Sequence, residues 1–223
     1  MTLFSLPYGK SQISIDLDNL YKADLYLPKN LQPDYEAESL LLSAIHNPIN
    51  NQGFSGKVNK NTSVAITVND KTRPVPNHLI FPPLLTTLAD NGIKKENITI
   101  LIATGTHIPM PKLEHSLILP VEILRDYRVI SHDCDDGSNL VFKGKTKRGT
   151  PVYVNSIFDN ADLKIVVGNI EPHHFAGFSG GAKSASIGVC GRETINHNHA
   201  LLKDPKSCVG RYEDNPLRQD IED

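Results

Sequence analysis

Apolar residues along the chain occur at two spacings. Gln12–Leu17 alternates apolar and polar side chains, and Ala23–Leu27 (ADLYL) does so again, so both read as half-buried strands of a leading β unit. Glu36–Ile45 (EAESLLLSAI) has helical spacing and stops near Pro48, and Asn50–Asn61 is a polar loop of Gly, Asn and Lys. From Ser63 onward the pattern changes to continuous apolar runs. SVAITV (Ser63–Val68), ITILIA (Ile98–Ala103), YRVIS (Tyr127–Ser131) and LKIVV (Leu163–Val167) have the length of buried strands. Pro74–Asn91 holds a helix that ends at Gly92, with Pro82 and Pro83 breaking or kinking it. Leu140–Thr146 and Pro151–Asn155 flank the turn KRGT and form a hairpin. Buried strands separated by helical stretches predict an α/β fold. Its sheet is mostly parallel, Rossmann-like and doubly wound, accompanied by a small β hairpin and the N-terminal β unit. Residues 1–223 form a single domain on this reading.

Composition narrows the function classes. Apolar residues make up 39% of the 223 residues and charged residues 22%, which suits a packed core and argues against wholesale disorder. The formal net charge of −2 gives no basic surface for nucleic acid or an anionic membrane. No apolar run approaches the about 18 residues of a membrane helix, and the N-terminus lacks the basic and apolar regions of a signal peptide. The three cysteines, Cys134, Cys190 and Cys208, are widely spaced and odd in number, which points to a reducing compartment without a disulfide framework. A cytoplasmic protein is the expectation.

Each of three buried strands runs at once into a polar cluster. SVAITV is followed by Asn69-Asp70-Lys71-Thr72-Arg73-Pro74, ITILIA by Thr104-Gly105-Thr106-His107, and KIVVG by Asn169-Ile170-Glu171-Pro172-His173-His174. Open α/β sheets bind ligands beyond the carboxyl ends of their strands. Three strand ends therefore bring Asp, Arg and His side chains to one crevice.

The richest segment is Glu171–Lys183, EPHHFAGFSGGAK. Gly177, Gly180 and Gly181 allow positive φ and a close approach of backbone to a ligand. From Gly177 to Ser184 it reads G-x-x-x-x-A-K-S, a near miss of a phosphate-wrapping P-loop in which Ala182 replaces the last glycine. Lys183 suits a phosphate-bearing ligand. His107 and His173, at neighbouring strand ends, are a candidate pair of proton-transfer groups on opposite sides of a substrate. Arg73 offers a planar fork for a carboxylate, and Asp70 would orient Arg73 or cap the helix that follows. Of the histidines in Asn196-His197-Asn198-His199, His197 reads as helix surface, while His199 reads equally as surface or as metal ligand. Cys134, between Asp133 and Asp135, reads as a solvated acidic turn. Cys190 and Cys208 read as structural.

Four stretches, DKTRP (Asp70–Pro74), TGTHIP (Thr104–Pro109), EPHHFAGFSGGAK (Glu171–Lys183) and the histidine sixteen residues past that lysine, together resemble the nickel-pincer-nucleotide lactate racemase family. The resemblance implies that Lys183 tethers a nicotinate-derived nucleotide, whose two sulfurs and ring carbon hold nickel, and that His199 is the protein's nickel ligand. It implies paired acid/base roles for His107 and His173 and carboxylate binding by Arg73, with Asp70 its neighbour in the motif and Gly177, Gly180 and Gly181 in the cofactor loop. It gives His174 no role. The implied reaction racemises a 2-hydroxy acid, lactate by default, by hydride transfer through a planar 2-keto acid. Cofactor-synthesis and nickel-insertion proteins are the implied partners. Family members also carry a second domain with a substrate-facing lysine and aromatic residues, to which nothing here corresponds. The chain then reads as the N-terminal, cofactor-binding part, with little turnover by itself. Its last pattern agrees: Asn215-Pro216 starts a helix, Leu217 and Ile221 share a face, and the sequence stops at Asp223 in mid-pattern, as in a truncated chain. The readings from other classes are a nucleotide- or phosphate-binding module and a P-loop-like phosphotransferase, both using the 177–184 loop.

Overall fold

The structure, a computed structural model, describes residues 2–17, 24, 26, 36–50, 53 and 56–223. Two units are distinguished, Met1–Glu36 and Ala37–Asp223. In the first, β1 (Thr2–Tyr8) and β2 (Ser11–Leu17) pair antiparallel in register from Thr2 opposite Leu17 to Tyr8 opposite Ser11. The alternation over Gln12–Leu17 is thus a strand, as expected, but it is exposed rather than half-buried, with only Leu17 partly covered. The strand expected at Ala23–Leu27 lies outside the described residues, Asp24 and Tyr26 apart.

The second unit begins with α1 (Ala37–His46) and then builds a sheet. Its four strands are β3 (Val64–Asn69), β4 (Ile98–Ala103), β5 (Arg128–Ser131) and a later strand, β8 (Leu163–Val166). They are all parallel, in the order β5-β4-β3-β8. Residues of β3 and β4 alternate between two buried faces, which is why both runs are continuously apolar. Val64, Ile66, Val68, Ile98, Ile100 and Ile102 pack in one core with Phe81 and Leu88. Ala65 and Leu101 pack in another with Phe158 and Val189. The chain moves outward from β3 to β4 and β5 through α2 (Asn77–Asp90) and α3 (Val121–Asp126). It then forms a hairpin of β6 (Leu140–Lys145) and β7 (Pro151–Asn155), crosses α4 (Ser156–Asn160), and returns to the other side of β3 as β8. The direction of winding therefore reverses between β3 and β8, the place where such sheets open a ligand crevice.

Two elements differ from what the sequence predicts. The helix of the Pro74–Asn91 region starts at Asn77 and runs unbroken through Pro82 and Pro83. The carbonyls these prolines leave without helical partners belong to His78 and Leu79, both exposed residues. The helix stops as expected: Gly92, at φ +84°, closes a Schellman motif in which Gly92 N–H donates to Ala89 O and Ile93 N–H to Leu88 O. The second correction is Cys134, which is buried rather than solvated and packs with Cys190, Ile195 and Leu217. Its neighbour Asp135 is exposed and forms a bidentate pair with Arg192, yet the buried thiol stays within 4.8 Å of the carboxylates on either side of it.

After β8 come two two-residue strands, β9 (Pro172–His173) and β10 (Gly177–Phe178), then α5 (Ala182–Ala185), α6 (Arg192–His199) and α7 (Pro216–Glu222). Asn215 caps α7 by accepting from Arg218 N–H, with Pro216 in the first helical turn, and Leu217 and Ile221 are buried. No helix among the described residues is long and apolar enough to cross a membrane.

Candidate active site

The ends of β3 and β4, the β9–β10 loop and the helices α5 and α6 surround a crevice of about 210 Å³. Asp70, Arg73, His107, His173, His174, Gly180, Lys183 and His199 all line it. Six basic or imidazole groups thus face one carboxylate. Gly177 and Gly181 are not in its wall.

Asp70 is 5% exposed, and its carboxylate is fully engaged. One oxygen accepts from the Thr72 backbone N–H at 3.0 Å and the Thr72 hydroxyl at 2.6 Å. The other accepts from His107 Nδ1 at 2.6 Å. Burial would raise this carboxyl, but the bonds from Thr72 and His107 outweigh it and hold the group below its ordinary value. An ionised Asp70 can only accept, so Nδ1 of His107 carries the proton and Nε2 offers a lone pair. Asp70 therefore orients His107 and not Arg73, which among the described residues has no carboxylate within 4.0 Å. The Arg73 fork stays available for an anion.

His173 has the opposite arrangement. It is 5% exposed, and its Nδ1 accepts from the Ala176 N–H at 3.2 Å. The proton of the neutral ring then sits on Nε2. Burial, together with the charges of Lys183, His174, Arg73 and His199, pushes this imidazole down to about 3. It stacks on His174 with ring centres 4.5 Å apart and meets the edge of Phe175.

Lys183 lies near the base of α5. Burial pushes its amine down to about 8, with help from the charges of Arg73 and Arg218, which leaves an appreciable neutral, nucleophilic fraction. His199, in the last turn of α6, touches the edge of the Phe175 ring. Burial and the Lys183 and His174 charges push it down to about 4, so it is neutral. Its Nδ1 is buried without a hydrogen-bond partner. The Ile195 carbonyl one turn back offsets part of the shift but forms no well-angled bond with it. A buried imidazole nitrogen left free, beside a partly neutral amine, is a donor set that fits a borderline metal held close to a tethered group. His197 is exposed, as expected, and its Nδ1 meets the Thr150 hydroxyl.

The three loop glycines have the positive φ expected of them: +75° at Gly177, +74° at Gly180 and +51° at Gly181. Their close approach is to the chain itself. A β-carbon on Gly177 would lie 1.9 Å from the Arg211 carbonyl oxygen, and one on Gly180 2.7 Å from that of Asn169. Gly181 faces open space and caps α5. Sequence reasoning also passed over Asn69, whose side chain bonds Asn169 across the β3 and β8 ends at 2.8 Å, and Phe175, the ring shared by three histidines. Both directly adjoin residues already singled out, which is the signal that finds them.

Comparison with known proteins fits this geometry. Residues 8–210 match the model of the lactate racemase N-terminal domain. The chain belongs to that family. Two curated lactate racemases, from Thermoanaerobacterium thermosaccharolyticum and Lactiplantibacillus plantarum, are each 30% identical over 225 aligned residues. The alignments cover 99% of this chain and 53% of each relative, so the chain spans about half the length of the lactate racemases it matches. The solved lactate racemase apoprotein from T. thermosaccharolyticum superposes with a TM-score of 0.86 at 30% identity, over 99% of this chain and 52% of that one. A Thermotoga maritima protein shares the fold at a TM-score of 0.66 and 24% identity, over 86% of this chain and 47% of its own.

Proposed function

We propose that residues 1–223 act as the N-terminal, cofactor-binding and proton-transferring part of a lactate-type 2-hydroxy-acid racemase. The observation that carries this reading is a pair of histidines with complementary ring protons in one crevice. One crevice holds an imidazole with a free Nε2 lone pair, His107, and one with an Nε2–H, His173. Inverting a carbinol carbon needs a proton acceptor and a proton donor, and the two rings offer one of each.

Arg73 binds the substrate carboxylate through its fork. His107 Nε2 takes the hydroxyl proton while Asp70 balances the imidazolium that forms, and His173 Nε2–H hydrogen-bonds the same oxygen from another direction. Direct removal of the Cα proton would leave a poorly stabilised carbanion, so the C–H bond is broken as hydride. Lys183 would tether a nickel-pincer nucleotide and His199 would ligate its nickel; when bound, that group supplies reversible acceptance of the Cα hydride. The cluster of cationic and imidazole side chains favours a 2-keto acid anion held in place until hydride returns. Residues from outside this chain would complete the substrate pocket, and proteins that synthesise the cofactor and insert nickel would be its partners.

A phosphotransferase loop is the less favoured reading. The helix after the glycines is a single turn of four residues, and the tightest contact at Gly177 is the Arg211 carbonyl, which would repel a phosphate. The test is the full-length protein, expressed with its cofactor pathway. It should interconvert 2-hydroxy-acid enantiomers, contain nickel, and show an intact-mass adduct that Lys183→Ala removes. Mg-ATP binding by calorimetry without any adduct would favour the phosphate-binding reading.

A further inference from the structure

The loop that bears His173 and Lys183 is held from behind by the segment that leads into α7. Three carbonyls of the loop have partners there. Asn215 Nδ2 donates to Phe175 O at 2.9 Å, Gly210 N–H to Gly177 O at 3.0 Å, and Arg218 Nη1 to Phe178 O at 3.2 Å. Asn215 is wholly buried and also caps α7 through Arg218 N–H, so the cap and the loop share one side chain.

Arg218 is the unexpected member. Its side chain is 7% exposed, Nε donates to Glu222 at 2.7 Å, and the guanidinium lies over the Tyr212 ring at 4.7 Å. Tyr212 in turn donates its hydroxyl to the same Glu222 oxygen. Burying a guanidinium carries a desolvation cost that an apolar side chain of the same volume avoids, so packing alone does not select it. It also brings a positive charge toward the Lys183 amine, a like-charge approach that stability disfavours. What an apolar residue lacks is a directional donor to Phe178 O.

We propose that Arg218 is a positioning residue for the crevice: braced by Glu222 and Tyr212, it pins the Phe178 carbonyl and so fixes the loop between His173 and Lys183. The catalytic consequence rests on the racemase reading, but the positioning itself does not.

The test compares Arg218→Met, Arg218→Lys and Glu222→Gln in the protein. Amide hydrogen exchange is read in residues 174–183 against the amides of β3 and β4. Acetylation of Lys183 by dilute acetic anhydride is read by peptide mass spectrometry against the exposed Lys60. Arg218→Met should speed exchange in the loop by about tenfold or more, with the β3 and β4 amides unchanged. It should also change Lys183 labelling severalfold relative to Lys60. Arg218→Lys, which keeps the charge without the fork, and Glu222→Gln, which frees the guanidinium, should give smaller effects in the same loop. If Arg218→Met fails to fold, these two variants decide. Unchanged loop exchange in folded variants would overturn the proposal. So would acceleration spread equally over β3 and β4, the mark of a merely structural residue. Neither readout needs cofactor or substrate, so this proposal and the racemase reading fail separately.

Discussion

Asp70 and His107, brought together from the ends of adjacent parallel strands, share a 2.6 Å hydrogen bond that fixes which nitrogen of the imidazole is free. Asp70→Asn keeps the size of the side chain but removes the anion that Nδ1–H bonds. The expected result is a fall in kcat on the order of 10²–10⁴ with a much smaller change in KM, read with the cofactor-loaded full-length protein. An unchanged kcat would mean that the pair is structural only.

Lys183 and His199 should separate by readout. Lys183→Ala is expected to abolish the covalent adduct on intact mass. His199→Ala is expected to lower nickel content, by elemental analysis, while the adduct stays. The reverse pattern would exchange the two assignments.

Acid should weaken the fold through its buried imidazoles. His132 is wholly buried, accepting from Asn155 at Nδ1 and donating from Nε2 to Cys190 O, and burial pushes it below its ordinary value. His173 and His199, pushed down to about 3 and about 4, act in the same direction. Their unfolded counterparts take up a proton near about pH 6.5 while the folded forms do not. The stabilisation is therefore complete above that pH and is lost as pH falls below it. The urea midpoint should drop between about pH 7.5 and about pH 5. A flat profile would show these rings protonating freely in the fold.

The loop glycines should rank by contact. Gly177→Ala forces a β-carbon into the Arg211 carbonyl at positive φ and should destabilise by about 2–4 kcal/mol in denaturant unfolding. Gly181→Ala meets nothing within 4 Å and should cost less, about 1–3 kcal/mol from backbone conformation alone. Equal losses would remove the Arg211 contact as the reason for glycine at Gly177.

The sheet and the crevice were legible in the sequence because β3 and β4 are buried on both faces, and each ends abruptly in polar residues. The partners inside the crevice were not. Asp70 and His107 stand 37 positions apart, and only the register of β3 against β4 shows that the carboxylate meets the imidazole and not the nearby Arg73. Gly177 reads locally as a ligand-cradling glycine, but the atom it must avoid belongs to Arg211. Cys134 sits between two aspartates, and nothing local says that it is buried against Cys190, Ile195 and Leu217 while Asp135 pairs with Arg192. Pro82 and Pro83 look like a break, yet the carbonyls they strand belong to exposed residues of α2.

Hydride transfer at the carbinol carbon of a 2-hydroxy acid, the chemistry proposed for this crevice, leaves an isotopic signature. Its most direct test is to incubate the cofactor-loaded full-length protein with one enantiomer of lactate deuterated at Cα, in ordinary water, and to determine chirality and mass of the lactate recovered. Hydride transfer should return the opposite enantiomer with deuterium retained at Cα. Inversion with the label washed out to solvent, or no inversion at all, would contradict it.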